Sequence, residues 1–341
     1  MSAPLLSVVV PAYNAAATIG DCVAALRRQT YDGPYELIVV DDGSTDGTAA
    51  LARAAGATVL SAPHGHAAAA RNVGLRAARG PLICFTDADC APHPDWLSQI
   101  CRPFDDPDVI GCKGTYATRQ RQLVARFVQL EYEDKYDRLR PQATIDFIDT
   151  YSCAYRSAVL LANGGFDESI RYVEDQELSF RLAARGYKMV FQEEAVVDHH
   201  HSATLRAYLR KKANIGFWKM RIIRRFPDRA VRDSHTPQVI KVQMALAGLL
   251  LMALAAGVVG LAIGWTAVAV WLLAGAVALA LAFLAITLPF VRKAWGKDRA
   301  VALAAPGLLF GRAVALGWGT LRGILAPSPP TPARPPGPEA E

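Results

Sequence analysis

A stretch without charged side chains constrains the fold of this 341-residue chain more than any other feature. No Asp, Glu, Lys or Arg occurs between Lys241 and Arg292, about 50 residues, whereas one membrane-spanning helix needs roughly 20 apolar residues. The stretch therefore has room for two spanning helices and a tight turn, which Gly264 marks as a helix breaker. A buried helical hairpin in a soluble domain is the alternative, which two such lengths without a charge disfavour. We predict two transmembrane helices at about 242–263 and 267–291.

Basic residues flank this stretch on both sides, whereas the turn inside it carries no charge. The positive-inside rule then predicts that both flanks face the cytoplasm and that the chain is a multi-pass protein of the cytoplasmic membrane. The formal net charge of +6 is accordingly interpreted as a membrane-surface feature. No basic stripe with interleaved aromatic residues indicates a nucleic-acid partner. The flanking basic residues are Lys211, Lys212, Lys219, Arg221, Arg224, Arg225, Arg229, Arg232, Lys241, Arg292, Lys293, Lys297 and Arg299.

Two further segments follow the charge-free stretch. Segment 300–325 is apolar but contains Pro306, Arg312 and Arg322, so it either spans the membrane or lies at its interface. The arginines favour the interface slightly, because they could then lie among the lipid headgroups. The last residues, 326–341, are rich in proline and predict a disordered tail.

The N-terminal end and the cysteines carry no pattern of an exported protein. The first residues, MSAPLLSVVVPAYN, lack a basic n-region and a cleavage site, so they predict a strand rather than a signal peptide. The six cysteines form no CxxC pair and show no zinc-ligand spacing. In a cytoplasmic domain they predict reduced thiols rather than disulfides. They are Cys22, Cys84, Cys90, Cys101, Cys112 and Cys153.

Residues 1–237, ahead of the membrane segment 238–292, alternate short β-branched runs with helix-like segments. This alternation predicts an α/β domain with a doubly wound, mostly parallel sheet. Ligands of such sheets bind at the carboxyl ends of the strands. Two acidic pairs follow predicted strands at those ends: Asp41 with Asp42, and Asp87 with Asp89.

Asp87 and Asp89 predict a cation site. Residues i and i+2 of an extended chain point to the same side, so the two carboxylates face one spot. Leaving buried carboxylates unpaired is costly, and a bound cation would offset that cost. Oxygen ligands suit Mg²⁺ or Mn²⁺, and such ions often share their shell with substrate phosphates. We therefore predict a cation that bridges the protein and a diphosphate. The glycine motifs of P-loop and dinucleotide-binding proteins are missing, so those two kinds of nucleotide site are not expected.

Six motifs in a fixed order resemble family 2 glycosyltransferases. They are SVVVPAYNAAATI, IVVDDGSTDGT, ARNVGLRAARG, FTDAD, AYRSAVLLANGGFDE and YVEDQELSFRLAARGYK, and the resemblance covers about Ser7 to Phe217. It implies an α/β GT-A nucleotide-sugar-binding domain, which is Rossmann-like, followed by the C-terminal transmembrane helical hairpin predicted above. It further implies an inverting, membrane-anchored enzyme of the bacterial type, whose catalytic domain would face the cytoplasm.

On the donor side, the resemblance implies that Asp41 and Asp42 read the base and ribose of a uridine-type nucleotide. Tyr13 and Asn14 would complete this nucleotide-binding pocket, and Arg71 would contact the nucleotide. The alternative for Arg71 is an arginine on the surface of a helix.

For the metal, the resemblance implies that Asp87 and Asp89 form the binding motif, with Asp89 the more direct ligand of the ion and the diphosphate. His199 and His201 share a face of an extended chain, and imidazole binds ions such as Mn²⁺. The two histidines are therefore predicted to complete the metal site. A solvated polar patch at the end of a strand is the alternative.

On the acceptor side, Asp175 resembles the general base of inverting members, and Glu174 is expected to orient the acceptor. A sugar hydroxyl is a weak nucleophile, so a carboxylate has to take its proton during the attack. Acidic residues at a helix start also compensate the helix dipole, which is the structural alternative. The turn that borders the acceptor site is expected at Gly164, Gly165, Phe166 and Asp167.

Two further segments bear on the acceptor. Segment 119–139 predicts an amphipathic helix, which either caps the sheet or lies on a membrane surface and helps to deliver a lipid-linked acceptor. Segment 210–218 lacks the Gln-x-x-Arg-Trp motif that processive synthases of the family carry. Its absence favours the transfer of a single sugar.

The sequence therefore predicts an inverting glycosyltransferase, dependent on Mg²⁺ or Mn²⁺, at the cytoplasmic face of the membrane. It would move one sugar from a nucleotide-sugar donor, with a UDP-sugar favoured, to a lipid-linked or cell-surface glycan acceptor. Two alternatives remain: a polyprenyl-phosphate glycosyltransferase, whose ionised acceptor needs no base, and a catalytically silent membrane scaffold that binds nucleotide-sugar. The presence of Asp42, Asp89 and Asp175 argues against the silent scaffold.

Overall fold

The computed structural model describes residues 5–230 and 236–327. Contacts divide these residues into two compact units, and one of the boundaries between them falls inside a helix, between Asp134 and Lys135. We call them the sheet unit and the helical unit. Within the described residues, the sheet unit contains 5–120 and 135–201, and the helical unit contains 121–134, 202–230 and 236–327.

Eight strands of the described chain form one sheet. They are β1 (Leu6–Ala12), β2 (Tyr35–Asp41), β3 (Thr58–Ser61), β4 (Leu82–Thr86), β5 (Cys90–Pro92), β6 (Val109–Ala117), β7 (Ser152–Arg156) and β8 (Lys188–His199). Their order across the sheet is β3-β2-β1-β4-β7-β6-β8-β5. Strands β1 to β4 run parallel, whereas β7 runs antiparallel to β4 and β6. The sheet is therefore mixed, and its parallel half is the part that the alternating sequence predicted.

Eleven α-helices accompany the sheet in the residues that the structure describes. They are α1 (Ile19–Arg27), α2 (Thr48–Ala54), α3 (His66–Ala77), α4 (Trp96–Cys101), α5 (Leu123–Leu139), α6 (Ser157–Ala162), α7 (Glu174–Ala184), α8 (Leu205–Arg225), α9 (Gln238–Ala262), α10 (Thr266–Lys297) and α11 (Arg299–Leu325). Two short 3₁₀ helices lie at Arg102–Asp105 and Pro227–Ala230.

The centre of the sheet positions α3. Val8, Val9 and Val10 of β1 are fully buried, since β-branched side chains pack well on a pleated surface. A Cβ added at Gly74 would lie only 2.3 Å from Val9 Cγ1, so the missing side chain lets α3 approach β1 closely. Arg71 lies on the same helix, nearly one turn before Gly74, and this close packing fixes its position.

The predicted helical hairpin is present as α9 and α10. Residues 263–265 join the two helices, and Gly264 adopts a φ of 81° there. Helices α9, α10 and α11 are each long and apolar enough to cross a membrane, by length and composition. Many large apolar side chains of α9 and α10 are exposed, among them Met252 at 62% and Trp271 at 78%. Exposed apolar surface of this extent is typical of contact with lipid or a partner.

Helix α11 is a continuous helix through Pro306, and α8 packs against it at backbone distance. A Cβ added at Gly319 would lie 2.0 Å from the Ala213 carbonyl oxygen, and one at Gly216 would lie 2.4 Å from the Leu316 carbonyl oxygen. The segment predicted at 300–325 is thus a single helix, whose place in or on a membrane stays a prediction. The predicted disordered tail lies outside the described residues from position 328 onward.

Helix α5 lies where the sequence predicted an amphipathic helix. Its residues up to Asp134 belong to the helical unit, where Phe127 and Leu130 join a buried apolar cluster with residues of α8, α10 and α11. Its residues from Lys135 onward belong to the sheet unit. The apolar face of the first part is therefore covered by other helices.

Candidate active site

The carboxyl ends of β1, β2 and β4 lie at one edge of the sheet, because these strands are parallel and neighbouring. A cavity of about 400 Å³ opens at that edge. Among the residues that line it, six were predicted from the sequence for the donor or the metal: Tyr13, Asn14, Asp42, Arg71, Asp87 and Asp89. The fold thus brings together side chains from four separate segments of the chain.

The Asp42 carboxylate is held by two residues of the loop after β3. Its Oδ1 accepts a hydrogen bond of 2.7 Å from the Gly65 N–H, and its Oδ2 lies 2.9 Å from His64 Nδ1. The His64 ring stacks on Tyr13, with the ring centres 4.1 Å apart. Such a pair offers a flat apolar surface to a planar ligand such as a nucleobase. No motif pointed to His64, because the loop after β3 reaches Asp42 only in the folded chain.

Asn14 and Asp41 shape the loops beside the cavity. Asn14 has a φ of 47°, in the left-handed region that asparagine tolerates better than most residues. Its Oδ1 accepts a hydrogen bond of 2.8 Å from the Thr45 N–H, and its own N–H donates to Ser44 Oγ at 3.0 Å. Asp41 is absent from the described residues that line the cavity, and its Oδ1 accepts from the Ser44 N–H at 3.4 Å. Of the acidic pair, Asp42 is the member that reaches the cavity.

Arg71 connects two sides of the site. Its Nη2 donates to Asp87 Oδ1 at 2.8 Å, and its Nη1 donates to Glu174 Oε1 at 2.5 Å. The side chain is 4% exposed, and its guanidinium carbon lies 5.6 Å from the centre of the Phe166 ring. Burial opposes the charge, but Asp87 and Glu174 outweigh it and raise the pKa of Arg71 above its usual value. We call Arg71, Asp87 and Glu174 the Arg71 network. Because Arg71 itself is buried, it is not an arginine on the surface of the helix.

Asp89, Cys90 and His199 bring three possible ligand atoms within 4.8 Å of one another. His199 Nε2 lies 3.5 Å from Asp89 Oδ2, and His199 Nδ1 lies 2.8 Å from Nδ1 of His201. Both histidines are buried, so they do not form a solvated patch. Burial raises the pKa of the Cys90 thiol well above its usual value, which disfavours a thiolate ligand. The carboxylate of Asp89 and the imidazole of His199 therefore fit a Mn²⁺-like ion, and His201 would orient His199 from behind.

Helix α7 begins after a strained residue. Val173 has φ 58° and ψ 29°, a left-handed conformation that β-branched residues rarely adopt. Strain of this kind costs about 1–3 kcal/mol and is concentrated at functional sites. Burial and the charge of Glu174 raise the pKa of Asp175 to about 7, although Arg71 lowers it. A carboxylate that titrates near neutrality is suited to accept a proton from a substrate.

Asn72 fixes the turn that was expected to border the acceptor. Its Nδ2 donates to the Phe166 carbonyl oxygen at 2.8 Å, and its Oδ1 accepts from the Phe166 N–H at 2.8 Å. Gly165 has a φ of 66° and passes so close that a Cβ there would lie 2.4 Å from Asn72 Oδ1. Glycine is therefore required at this position both by conformation and by space. Asn72 follows Arg71 in the ARN motif, but its partner lies 94 residues away in sequence, so only the fold reveals its role.

The four residues of the expected turn differ in exposure. Phe166 is 2% exposed and packs edge-to-face against Phe85. Its ring contacts the Arg71 guanidinium and does not face solvent. Gly164 is exposed, and Asp167 is partly exposed with its Oδ1 accepting from the Ser169 N–H at 2.9 Å. Of the four, Gly164 and Asp167 are the residues that an acceptor could reach.

Several proteins with a similar sequence are named as glycosyltransferases. Residues 7–161 match the model of the family described as glycosyl transferase family 2. Pre-mycofactocin glycosyltransferase of Mycobacterium tuberculosis is 29% identical over 234 residues, which cover 66% of this chain and 48% of that protein. Glycosyltransferase AglE of Haloferax volcanii is 27% identical over 225 residues, which cover 62% of this chain and 72% of that protein. The chain thus spans about half the length of the first of these relatives.

A solved structure shares the fold. Mannosyltransferase PcManGT from Pyrobaculum calidifontis, in complex with GDP-Man and Mn²⁺, has a TM-score of 0.57 and 20% sequence identity. The likeness covers 95% of this chain and 90% of that one. At this identity it establishes architecture only, whereas the family match rests on the sequence of residues 7–161. Residues 7–161 therefore match a family 2 glycosyltransferase domain, the mixed sheet has the GT-A-like architecture, and three long apolar helices follow in the chain.

Proposed function

We propose that the protein is an inverting, divalent-cation-dependent glycosyltransferase of a membrane surface. It would move one sugar from a nucleoside-diphosphate sugar to a hydroxyl group of a lipid-linked or cell-surface glycan acceptor. One observation carries the proposal: Arg71 binds both Asp87, which lines the donor cavity, and Glu174, which stands next to the candidate base Asp175. The donor cavity and the base are thereby held in one fixed arrangement, as a direct displacement requires.

The nucleotide would bind at the carboxyl ends of β1 and β2. The stacked rings of Tyr13 and His64 would support the base, and Asp42 would accept hydrogen bonds from the base or the ribose. The imide N–H of uracil is a suitable donor for a carboxylate, so the pocket is compatible with a UDP-sugar. Guanosine donors belong in the test as well, because PcManGT was solved with GDP-Man.

The diphosphate would lie between the base pocket and the metal ligands. Asp89 and His199 would hold the cation, and His201 would fix the orientation of His199. When bound, a divalent cation supplies positive charge that stabilises the leaving diphosphate. Asp87 is held by Arg71, so its carboxylate is oriented before any ligand arrives.

Asp175 would take the proton of the acceptor hydroxyl as that oxygen attacks the anomeric carbon. Attack opposite the leaving diphosphate inverts the anomeric centre. Glu174 is already held by Arg71, so it would orient the acceptor rather than accept the proton. General-base catalysis of this kind contributes about 10²–10⁴-fold to the rate.

The acceptor is proposed to be presented at a membrane. Helices α9, α10 and α11 are long and apolar enough to span, and basic residues flank the charge-free stretch on both sides. Both flanks, and with them the catalytic domain, are proposed to lie in the cytoplasm. Protease protection of residues around Arg225 in right-side-out vesicles, and cleavage there in inverted vesicles, would support this orientation.

The decisive experiment measures nucleoside-diphosphate release from detergent-purified protein. UDP-, GDP- and dTDP-sugars are supplied one at a time with Mn²⁺ or Mg²⁺ and a bacterial lipid extract, and donor binding is measured separately by calorimetry. We expect metal-dependent release from one donor. Asp175→Asn should keep donor binding and lose about 10²–10⁴-fold in turnover, whereas Asp42→Asn should lose donor binding itself.

The two variants separate the alternatives. Full turnover in Asp175→Asn would mean that the acceptor is already ionised, as a polyprenyl phosphate is. Donor binding without turnover for any donor, with lipid extract present, would support the silent scaffold. Failure to bind any nucleotide sugar would contradict the assignment of the donor cavity.

A further inference from the structure

Three charged residues form a buried cluster in the sheet unit, apart from the donor cavity. Lys113 of β6, Lys135 of α5 and Asp149 are 0%, 6% and 6% exposed. Both lysines share one carboxylate oxygen: Lys113 Nζ contacts Asp149 Oδ2, and Lys135 Nζ lies 3.2 Å from it. We call these residues the two-lysine cluster. When both lysines are protonated, two ammonium groups face one carboxylate, and the cluster holds one buried positive charge in surplus.

Aromatic rings surround the surplus charge. Lys113 Nζ lies 5.1 Å from the centre of the Phe147 ring and 5.6 Å from that of Tyr151, and Lys135 Nζ lies 4.8 Å from the Phe147 ring. Ring faces attract cations and exclude water. The charge is therefore screened little by solvent and acts on groups nearby.

The loop that carries Asp149 is hydrogen-bonded to the start of α7. Ser179 Oγ accepts from the Ile148 N–H at 3.0 Å and donates to the Asp175 carbonyl oxygen at 2.7 Å. Ile148 lies next to Asp149 in the chain, and Asp175 is the candidate base. One buried serine thus ties the two-lysine cluster to the turn of α7 that carries Asp175.

The charges around Asp175 come from several elements. Burial and Glu174 raise the pKa of Asp175, whereas Arg71 and Lys135 lower it. Burial lowers the pKa of Lys113 to about 7, and Asp175 acts in the opposite direction. The titratable and charged groups that act on Asp175 or respond to its charge include Glu174 of α7, Arg71 of α3, Lys135 of α5, Lys113 of β6, and Cys153 and Tyr155 of β7. Asp149 is the anion that pairs with both lysines.

We propose that the two-lysine cluster positions the base: its positive charge favours the ionised form of the Asp175 carboxylate inside a buried site. Lys113 and Lys135 are positioning residues, since they act through Asp175 and neither is among the described residues that line the donor cavity. Desolvation would otherwise favour the protonated carboxyl, which cannot accept a proton. The inference rests on the proposed function for its consequence in catalysis, but its electrostatic content is independent of any substrate.

The test titrates Asp175 directly in metal-free, detergent-purified protein. The carboxyl ¹³C resonance of Asp175 is identified in aspartate-labelled protein by its loss in Asp175→Asn, and it is followed across the neutral pH range. Lys113→Met removes one cation, so the midpoint should rise by about one pH unit. Asp149→Asn removes the anion, so the midpoint should fall. Lys135→Met removes the other ammonium group that contacts Asp149 and makes the same change in charge. It replaces Lys113→Met in the test if that variant does not fold.

Shifts of opposite sign in Lys113→Met and Asp149→Asn support the proposal, because general damage to the fold would not move the midpoint in both directions. An unmoved midpoint in the folded variants overturns it. The acidic limb of kcat/KM for nucleoside-diphosphate release, with the donor and lipid extract of the panel above, should move with the midpoint. A raised KM for the lipid extract without a shift of the midpoint would overturn the proposal in favour of acceptor binding. If the midpoint shifts as expected while turnover is absent for every donor, the electrostatic proposal stands and the proposed function fails.

Discussion

The sheet unit and the helical unit each bury an ion network, and the two networks carry opposite surplus charges. In the Arg71 network one arginine lies between the carboxylates of Asp87 and Glu174. In the helical unit one carboxylate, Glu131 of α5, lies between Arg312 of α11 and Lys212 of α8. With every group ionised, the Arg71 network carries one net negative charge. The network around Glu131 carries one net positive charge.

The side chains around Glu131 are joined by hydrogen bonds, as those of the Arg71 network are. Arg312 Nη1 donates to Glu131 Oε1 at 2.5 Å, and Tyr208 Oη donates to Glu131 Oε2 at 2.9 Å. Arg312 also donates to the side chain of Gln243 on α9. Burial raises the pKa of Glu131, but Lys212 and Arg312 outweigh it, so the pKa lies below its usual value. We call these five residues the Glu131 network.

The opposite net charges suit the two networks to different roles. A surplus negative charge next to the donor cavity suits a site that receives a cation together with a diphosphate. A surplus positive charge among apolar helices fixes which faces of α5, α8, α9 and α11 meet, since a wrong register would leave a buried charge unpaired. We therefore propose that the Arg71 network is part of a ligand site and that the Glu131 network is a packing lock, and four predictions test this distinction.

The largest effect is expected for Glu131→Gln. The change leaves Arg312 and Lys212 buried without their anion, and removing one partner of a buried pair costs about 3–5 kcal/mol. Arg312→Met should cost less, because it leaves a neutral pair of Glu131 and Lys212. The free energy of unfolding is measured by denaturant titration in detergent. Glu133→Gln on the same helix, whose partner Lys297 is half-exposed, is the control and should cost about 0–1 kcal/mol. A greater loss in Arg312→Met than in Glu131→Gln would contradict the packing lock.

Arg71→Met should show the second largest effect, and on activity. It leaves Asp87 and Glu174 facing each other without a cation, so the carboxylates beside the donor and the base lose their orientation. We expect kcat/KM for nucleoside-diphosphate release to fall about 10²–10³-fold, the loss typical of a preorganised charged group. Arg76→Met, on the exposed face of the same helix α3, is the control and should leave kcat/KM unchanged. Equal activity in both variants would mean that the Arg71 network is only structural.

His199→Gln tests whether the surplus negative charge serves a cation. Loss of the imidazole should weaken Mn²⁺ activation about 10–100-fold, as changes around metal sites commonly do. His201→Asn should act in the same direction but less, because its contact with the metal would be indirect. The apparent Mn²⁺ constant is read from activation curves and from binding followed by electron paramagnetic resonance. His93→Gln, a histidine outside the described lining of the cavity, should change neither. An unchanged Mn²⁺ constant in His199→Gln would remove this histidine from the metal site.

The smallest effect concerns the strained residue beside the Arg71 network. Val173 precedes α7 in the left-handed region and has no side-chain hydrogen bond to cap the helix. Val173→Asn should relieve strain and add a cap, so we expect about 1 kcal/mol of added stability. Val173→Ala keeps most of the conformational strain and should gain less. Thermal melting compares the variants, and a loss of stability in Val173→Asn would show that the valine side chain contributes more through packing than its conformation costs.

Several features of the site followed from the sequence because they lie on regular elements. The alternation of strands and helices placed Asp42, Asp87 and Asp89 at strand ends, and parallel neighbouring strands end at the same edge. That rule alone brings three distant carboxylates near one another. It could not separate Asp41 from Asp42, because which of two neighbouring side chains reaches a cavity depends on the turn, here the contact of Asp41 with Ser44.

The partners of the buried charges did not follow from the sequence. Arg71 and Glu174 are 103 positions apart, and Glu131 and Arg312 are 181 apart. No local pattern links residues at such distances, and each side chain alone also fits a solvent-exposed role. The antiparallel pairing of β7 and the packing of α8 on α11 also did not follow from the sequence. Both depend on contacts between residues that are far apart in the chain.

The parallel half of the α/β sheet, the positions of the carboxylates at its strand ends and the long helices of the charge-free stretch follow from the sequence alone. Each of these follows from the periodicity and composition of a local segment, which the surrounding fold scarcely alters. The tertiary structure alone decided that His64 faces Asp42, that Arg71 joins Asp87 to Glu174, and that two lysines share Asp149. Those contacts join side chains from separate segments. Arg71, Glu174, Asp149 and the two lysines lie in a buried environment, where the energy of a charge depends on every neighbour at once.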